Sequence, residues 1–171
     1  MILALDVGFK STGYAVFKKG IVKATGVIET TTAEDKKIKI AYVNARRASQ
    51  IAISLKLIIE ACKGNVKGVV GELPSGAALS ARAGQAMALA TGTVAAAIAV
   101  LGLPVEWVTP VDVKRALTGN THAKKYEIMR EVSRRYDYVK FPENKSQFEH
   151  IADAIGAYIA AAESDLVKLH G

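Results

Sequence analysis

Two short apolar segments, each ending at a single carboxylate, restrict the fold of this chain more than any other feature. Leu3-Ala4-Leu5 runs into Asp6, and Val69-Val70-Gly71 runs into Glu72. The second segment is almost wholly apolar, which predicts a strand covered on both faces, and so helices on both sides of a sheet. A carboxylate at the end of such a strand is costly to desolvate, and a divalent cation can offset that cost. Taken alone, Asp6 is explained equally well as the cap of the following turn, and Glu72 as a solvated residue at the start of a loop.

The other segments predict an α/β fold with a mixed, five-stranded sheet. Strands at 2–7, 14–17 and 21–28 are joined by tight turns, so we expect an antiparallel meander. Two further strands, at 66–71 and 105–108, alternate with helices. The predicted helices cover residues 36–62, 80–101, 110–117, 123–136 and 148–169.

Charge and cysteine content narrow the class of partner and the compartment. The chain has 23 Lys and Arg against 16 Asp and Glu, a net charge of +7, which favours an anionic partner, nucleic acid first. A basic protein without such a partner is the alternative. Cys62 has no second cysteine to pair with, so we expect a reducing, cytoplasmic compartment. Residues 1–171 suit a single domain, and Asp6 and Lys10 interrupt the N-terminal apolar run, which argues against a secretory signal.

One uncharged stretch, 83–103, has the length of a membrane span. It consists largely of Ala, Gly and Thr and contains Gln85, so its transfer into lipid is weakly favoured. We therefore predict a buried helix and no contact with a membrane. Its small residues also suit a close contact between two subunits, and the pattern does not decide between core and interface.

A third group of polar residues lies at the start of the last predicted helix. His150 and Asp153 are three residues apart and share a face, and Glu149 shares a face with Asp153 at a spacing of four. Spacing alone does not choose between His150 and Glu149. Gly156 and Ala157 continue the stripe with little bulk, which predicts a close approach of this helix to the sheet. An acidic helix N-terminus, favoured by the helix dipole, is the plainer interpretation.

A basic segment separates these elements. Cations on and beside a broken helix suit contacts with phosphates, where a flexible point charge is sufficient. A solvated helical face explains the later ones equally well. The basic residues are Lys114, Arg115, Lys124, Lys125, Arg130, Arg134, Arg135, Lys140 and Lys145.

The order of these motifs resembles the RuvC family of Holliday junction resolvases, which have a ribonuclease H-like fold. The opening Asp6-Val7-Gly8 with Thr12-Gly13-Tyr14 is similar to the first strand and hairpin of that family. Gly71-Glu72 resembles its second catalytic strand, and 150–154 its closing metal-binding helix. The most specific likeness is Thr109-Pro110-Val111-Asp112-Val113-Lys114 with the segment that follows it.

The resemblance implies metal ligation by Asp6, Glu72, His150 and Asp153, with His150 rather than Glu149 as the third ligand. It implies two Mg²⁺ ions at the site, Mn²⁺ as a substitute, and hydrolysis of phosphodiester bonds in four-way or other branched DNA. Lys125 joins the four ligands as a catalytic residue. The residues expected to contact DNA are Lys114, Arg115, Lys124, Lys125, Gln85 and Ser75.

Further expectations follow from that assignment. A four-way junction has two-fold symmetry, so a homodimer most simply makes paired nicks. His150 must be neutral to ligate, so activity should fall below a pH of about 6.5. The chain departs from the family at two places. The loop after Glu72 has no aromatic residue, and Thr121-His122 precedes Ala123. These departures leave strand opening and sequence preference unassigned. A ribonuclease H-like nuclease of the YqgF type acting on structured RNA, or a non-catalytic binder of branched DNA, is the alternative function.

Overall fold

The five strands form one mixed sheet in the spatial order β3-β2-β1-β4-β5. The computed structural model describes residues 1–31, 38–74 and 80–171. The strands are β1 (Ile2–Asp6), β2 (Ser11–Lys18), β3 (Ile21–Glu29), β4 (Gly68–Glu72) and β5 (Val105–Val108). The first three form the predicted antiparallel meander, and β4 pairs in parallel with both β1 and β5.

The described residues form six helices, which lie on the two sides of this sheet. They are α1 (Ile40–Ala61), α2 (Ala81–Val100), α3 (Pro110–Thr118), α4 (Lys125–Arg135), α5 (Lys145–Ala160) and α6 (Asp165–His170). One core joins α3, α4 and α5 to one face of the sheet, and a second joins α1 and α2 to the other. The predicted α/β class, with a five-stranded sheet flanked by helices, is confirmed.

Alternation along β1 and β4 decides which residues face which layer. Ile2, Ala4 and Val70 belong to the core beneath α5, whereas Leu3 and Val69 belong to the core beneath α1 and α2. Because successive side chains of a strand point to opposite faces, the even-numbered ends of both strands lie on the side of α5. That alternation places the two terminal carboxylates in the same layer.

The segment 109–119 is fixed by its own local chemistry. Thr109 and Asp112 form a reciprocal capping box, in which the Asp112 amide donates to Thr109 Oγ1 (3.2 Å) and the Thr109 amide donates to Asp112 Oδ2 (3.1 Å). Pro110 occupies the first turn, and Gly119 ends the helix with a φ of 73°. Pro at the start and Gly at the end are typical helix boundaries. The motif therefore fixes both ends of α3, the helix that carries Lys114.

Two predictions about helices are wrong. The last predicted helix, 148–169, is two helices, because Ser164 caps α6 by accepting from the Val167 amide (3.3 Å), and a serine cap favours a new helix start. The Ala-rich helix α2 is not a buried helix, because only Ala90, Val94 and Ile98 are fully buried on it, with Ala86, Leu89 and Ala97 partly buried beside them. Its outer side is uncovered in the part of the chain that is described.

The boundaries of the other elements shift by a few residues. Strand β2 begins at Ser11 rather than Tyr14, because its pairing with β3 starts there, and β4 begins at Gly68 rather than Val66. The predicted start of the first helix at Lys36 lies outside the described residues. By length and composition alone, α2 is also the one described helix that is apolar enough to cross a membrane, a test that core helices of many proteins pass.

Candidate active site

Backbone pairing brings the first two predicted ligands together. In the parallel pair of β1 and β4, Asp6 lies directly opposite Glu72. Residues in register on neighbouring strands present their side chains on the same face. The two carboxylates therefore sit side by side at the carboxyl ends of adjacent central strands, facing α5.

Helix α5 supplies the other two ligands by lying very close to the sheet. Gly13, the partner of Asp6 on β2, has no side chain, and a Cβ there would lie 2.1 Å from the carbonyl oxygen of His150. Glycine at that position is what allows His150 to reach the strand ends, where its Nδ1 lies 2.7 Å from Asp6 Oδ2. The predicted role of Gly156 is different, because it faces Val113 and Leu117 of α3 rather than the sheet.

Gly8 allows the chain to turn sharply after Asp6. A Cβ at Gly8 would lie 2.4 Å from the Ser11 carbonyl oxygen, and Thr12 Oγ1 donates to the Gly8 carbonyl oxygen at 2.7 Å. The turn after Asp6 is therefore closed tightly by its own backbone. Asp6 itself is 19% exposed at its side chain, so its carboxylate remains partly accessible.

The site concentrates negative charge. Burial, together with the Asp153 and Asp6 carboxylates, raises the pKa of Glu72 to about 9. Burial and then the Asp6 charge raise the pKa of Asp153 to about 7. The hydrogen bond to Asp6 raises the pKa of His150, against the effect of its own burial. Each of these shifts favours the protonated form, because burial and the neighbouring carboxylates disfavour further negative charge at Glu72 and Asp153, and Asp6 stabilises a protonated His150.

The donors fit a divalent cation, although they do not form a closed shell. Glu72 Oε2 is buried and has no hydrogen-bond partner among the described residues, and a buried, unpaired carboxylate oxygen needs a cation or a proton. Carboxylate oxygens suit Mg²⁺, and an added imidazole suits Mn²⁺. Within the described ranges, however, no three Asp, Glu, His or Cys side chains are gathered tightly enough to count as a metal-binding group. The four predicted ligands therefore lie in one cleft, and two of them, Asp6 and His150, are in direct contact.

That cleft has a volume of about 760 Å³. All four predicted ligands line it, and so do three cations of the basic segment. The lining residues that carry charge or an ionisable ring are Asp6, Glu72, Lys114, His122, Lys124, Lys125, His150 and Asp153. Lys125 and Lys114 each lower the pKa of Glu72 and of Asp153, which shows that their charges reach the carboxylates.

The other predicted DNA contacts are placed differently. Arg115 lies outside the cleft, paired with Asp112 at 3.4 Å and exposed, because successive residues of a helix point about 100° apart. Gln85 is exposed on α2 and does not line the cleft. Ser75 falls outside the described residues. The structure therefore groups only the lysines of the predicted DNA-binding set with the carboxylates.

Two residues take positions that the sequence did not assign, since His122 was noted only as a departure from the family and Glu149 only as the alternative to His150. His122 lines the cleft, and the signal that would have found it is its position directly before Ala123-Lys124-Lys125. Glu149 Oε1 contacts Lys125 Nζ, a pairing across 24 positions of sequence that no local pattern reveals. Glu149 therefore faces a lysine, whereas His150 faces Asp6, which separates the two residues that spacing left undecided.

Comparison with known proteins places the chain in a family. Residues 2–161 match the family model described as crossover junction endodeoxyribonuclease RuvC. No curated protein matches the sequence significantly. RuvC of Thermus thermophilus superposes with a TM-score of 0.72 at 21% identity, covering 94% of this chain and 92% of that one.

Two further solved structures have the same fold. T. thermophilus RuvC in complex with a Holliday junction substrate superposes with a TM-score of 0.71 at 20% identity, covering 94% of this chain and 92% of that one. The yeast mitochondrial Holliday junction resolvase Ydc2 gives 0.61 at 12% identity, with coverage of 99% and 80%. The fold is therefore ribonuclease H-like, and the chain belongs to the RuvC family of crossover junction endodeoxyribonucleases.

Proposed function

We propose that the protein is a metal-dependent, structure-selective endonuclease that resolves four-way and other branched DNA junctions by paired, symmetric nicks. The observation that carries the proposal is the cleft in which Asp6, Glu72, His150 and Asp153 lie together with Lys114 and Lys125. Membership of the RuvC family gives the reaction class. A RuvC of the same fold in complex with a Holliday junction substrate supports the choice of DNA.

The residues that would hold metal are Asp6, Glu72, His150 and Asp153, and two Mg²⁺ ions are the proposed complement. Bound there, divalent cations activate water and stabilise the charge that develops on the scissile phosphate and the leaving oxygen. Asp6 would be the central ligand of this set, because it lies between Glu72 on β4 and His150 on α5. Lys114 and Lys125 would hold the negatively charged phosphate at the same cleft by charge alone.

The deciding assay uses three substrates of matched length: an immobile four-way junction, a linear duplex and a structured RNA, each with and without Mg²⁺. We expect nicks in the junction at symmetry-related positions, only with Mg²⁺, and with 5′-phosphate ends. Cleavage of the RNA but not of the junction would favour the YqgF-type alternative. Calorimetry that detects no Mg²⁺ or Mn²⁺ binding, even with DNA present, would favour a non-catalytic binder.

Symmetric incision requires two sites, and we propose that a homodimer supplies them through the uncovered faces of α1 and α2. A groove of about 520 Å³ between these helices is lined by Ala52, Ile53, Ala96, Ala97 and Val100, among others. Ile53 is 58% exposed and Val100 is 87% exposed. Contiguous exposed apolar surface of this kind marks interaction sites, and a two-fold contact uses the same patch of both subunits.

The proposed interface predicts the effect of one charge. Val100→Glu should convert a dimer to a monomer in sedimentation at micromolar concentration, because two glutamates would be buried close to the two-fold axis. Leu169→Glu is the matched control, since Leu169 is 75% exposed on α6, away from the groove. A wild-type protein that sediments as a monomer would remove the paired-incision model.

A further inference from the structure

One ion pair stands at the rim of the cleft and joins two helices. Lys125 is the first residue of α4, and its Nζ contacts Oε1 of Glu149 on α5. Glu149 precedes His150, so the pair lies directly beside the proposed metal ligands. The Lys125 charge still lowers the pKa of Glu72 and of Asp153, so the lysine serves both the pair and the cleft.

The fold does not need this pair for stability. The side chain of Lys125 is 67% exposed and that of Glu149 is 23% exposed, so solvent screens the attraction at the lysine end and the pair contributes little to folding. Helices α4 and α5 are already joined by an apolar core that includes Ile128, Val132 and Ile155. A pair that is weak in water and adjacent to a charged cleft is easily opened by a competing anion.

We propose that Glu149 is a positioning residue that occupies Lys125 until a DNA phosphate displaces it. The inference rests on the proposed function, because it takes the incoming anion to be a phosphodiester of the substrate. An ammonium group has three donors, so Lys125 passes from carboxylate to phosphate without moving its helix. Free protein then carries one fewer available cation at the cleft than its sequence suggests, and phosphate binding must work against that contact.

The test is a double-mutant cycle on DNA affinity without divalent metal, so that cleavage plays no part. Fluorescence anisotropy would measure the Kd of a labelled four-way junction for wild type, Glu149→Gln, Lys125→Met and the double variant. Glu149→Gln should tighten binding about two- to fivefold, the range that an exposed pair represents. In the Lys125→Met background the same change should have no effect beyond that of the control.

Glu163→Gln is the matched control. It removes the same charge from an ion pair with Lys168 (2.9 Å) near the C-terminus, outside the cleft. Melting temperatures of all variants would show that the fold is retained.

Equal tightening by Glu149→Gln in both backgrounds would overturn the inference, because Glu149 would then repel DNA directly rather than through Lys125. The inference is also wrong if Glu149→Gln leaves binding unchanged or weakens it in the protein that retains Lys125. In either case a wild-type protein that binds the junction leaves the proposed function standing. A wild-type protein that binds no junction would refute both.

Discussion

Asp6→Asn should abolish junction cleavage and leave junction binding within about twofold of wild type. Asp6 lies between Glu72 and His150, so its charge would be central to the set of residues that would hold the cations. Loss of that charge removes several kcal/mol of transition-state stabilisation, which corresponds to at least about a 10³-fold lower rate. Asparagine has the same shape, and its carbonyl oxygen still accepts from His150 Nδ1–H, so the fold should be kept. Single-turnover cleavage and anisotropy in Ca²⁺ or metal-free buffer measure the two effects separately.

The control for Asp6→Asn is Glu60→Gln, which removes one negative charge from an exposed pair with Lys56 on α1. That variant should cleave at the wild-type rate. Loss of binding together with cleavage in Asp6→Asn would assign Asp6 a folding role instead. Cleavage retained within tenfold would remove Asp6 from the proposed metal site.

Metal affinity should rise steeply with pH, and the stability of the metal-free protein should fall over the same range. The pKa of Glu72 is raised to about 9 and that of Asp153 to about 7, and the pKa of His150 is also raised. All three groups must lose a proton to ligate, so affinity should increase about tenfold per pH unit for each proton displaced. Glu72 contributes a proton up to a pH of about 9 and Asp153 up to about 7, and the raised pKa of His150 extends its contribution above the ordinary range of a histidine.

The sign for stability follows from the same shifts. Each group holds its proton to a higher pH in the folded protein than in the unfolded chain, so the folded state binds more protons between the two pKa values. The free energy of unfolding must then decrease as pH rises. Its loss begins above the ordinary pKa of an aspartate or glutamate and continues to about 9, the pKa of Glu72.

Melting temperatures at pH 5.5, 7 and 8.5, with EDTA and with excess Mn²⁺, test both effects. We expect the melting temperature to fall with pH in EDTA and the stabilisation by Mn²⁺ to grow with pH. The expectation from sequence, a loss of activity only below a pH of about 6.5, is moved upward by the environment of these groups. If Mn²⁺ stabilises the protein equally at pH 5.5 and 8.5, metal binding displaces no proton from these residues, and they are not the ligands.

The parts of the site that follow from local pattern could be predicted from the sequence. The two strands ending at Asp6 and Glu72, the spacing of His150 and Asp153, and the turn residues of the meander are all readable from periodicity and composition. The resemblance supplied their grouping, which no single motif gave. Lys114 and Lys125 were assigned with it, and both line the cleft.

The missed features depend on contacts between distant segments. In the sequence Gly13 is an ordinary hairpin glycine, and only the structure shows that α5 packs directly against it. The stripe of small residues predicts that Gly156 faces the sheet, whereas in the structure it faces α3. The outer face of α2 has the same composition as a buried helix. Its exposure is therefore visible only in the structure, where no described element covers it. The break before α6 depends on one serine cap, whose signal is too short to outweigh a continuous apolar pattern.

The in-register pairing of Asp6 with Glu72 has a consequence for how such an enzyme can diverge. Gly71 is pinned beneath Trp107, where a Cβ would lie 2.4 Å from the indole, so the alignment of β4 is hard to alter without disrupting the sheet. A shift of the β4 register by one residue would turn the Glu72 side chain to the opposite face of the sheet and remove it from the site. The position of Glu72 beside Asp6 therefore tolerates little change, because it depends on the register of the whole strand pair.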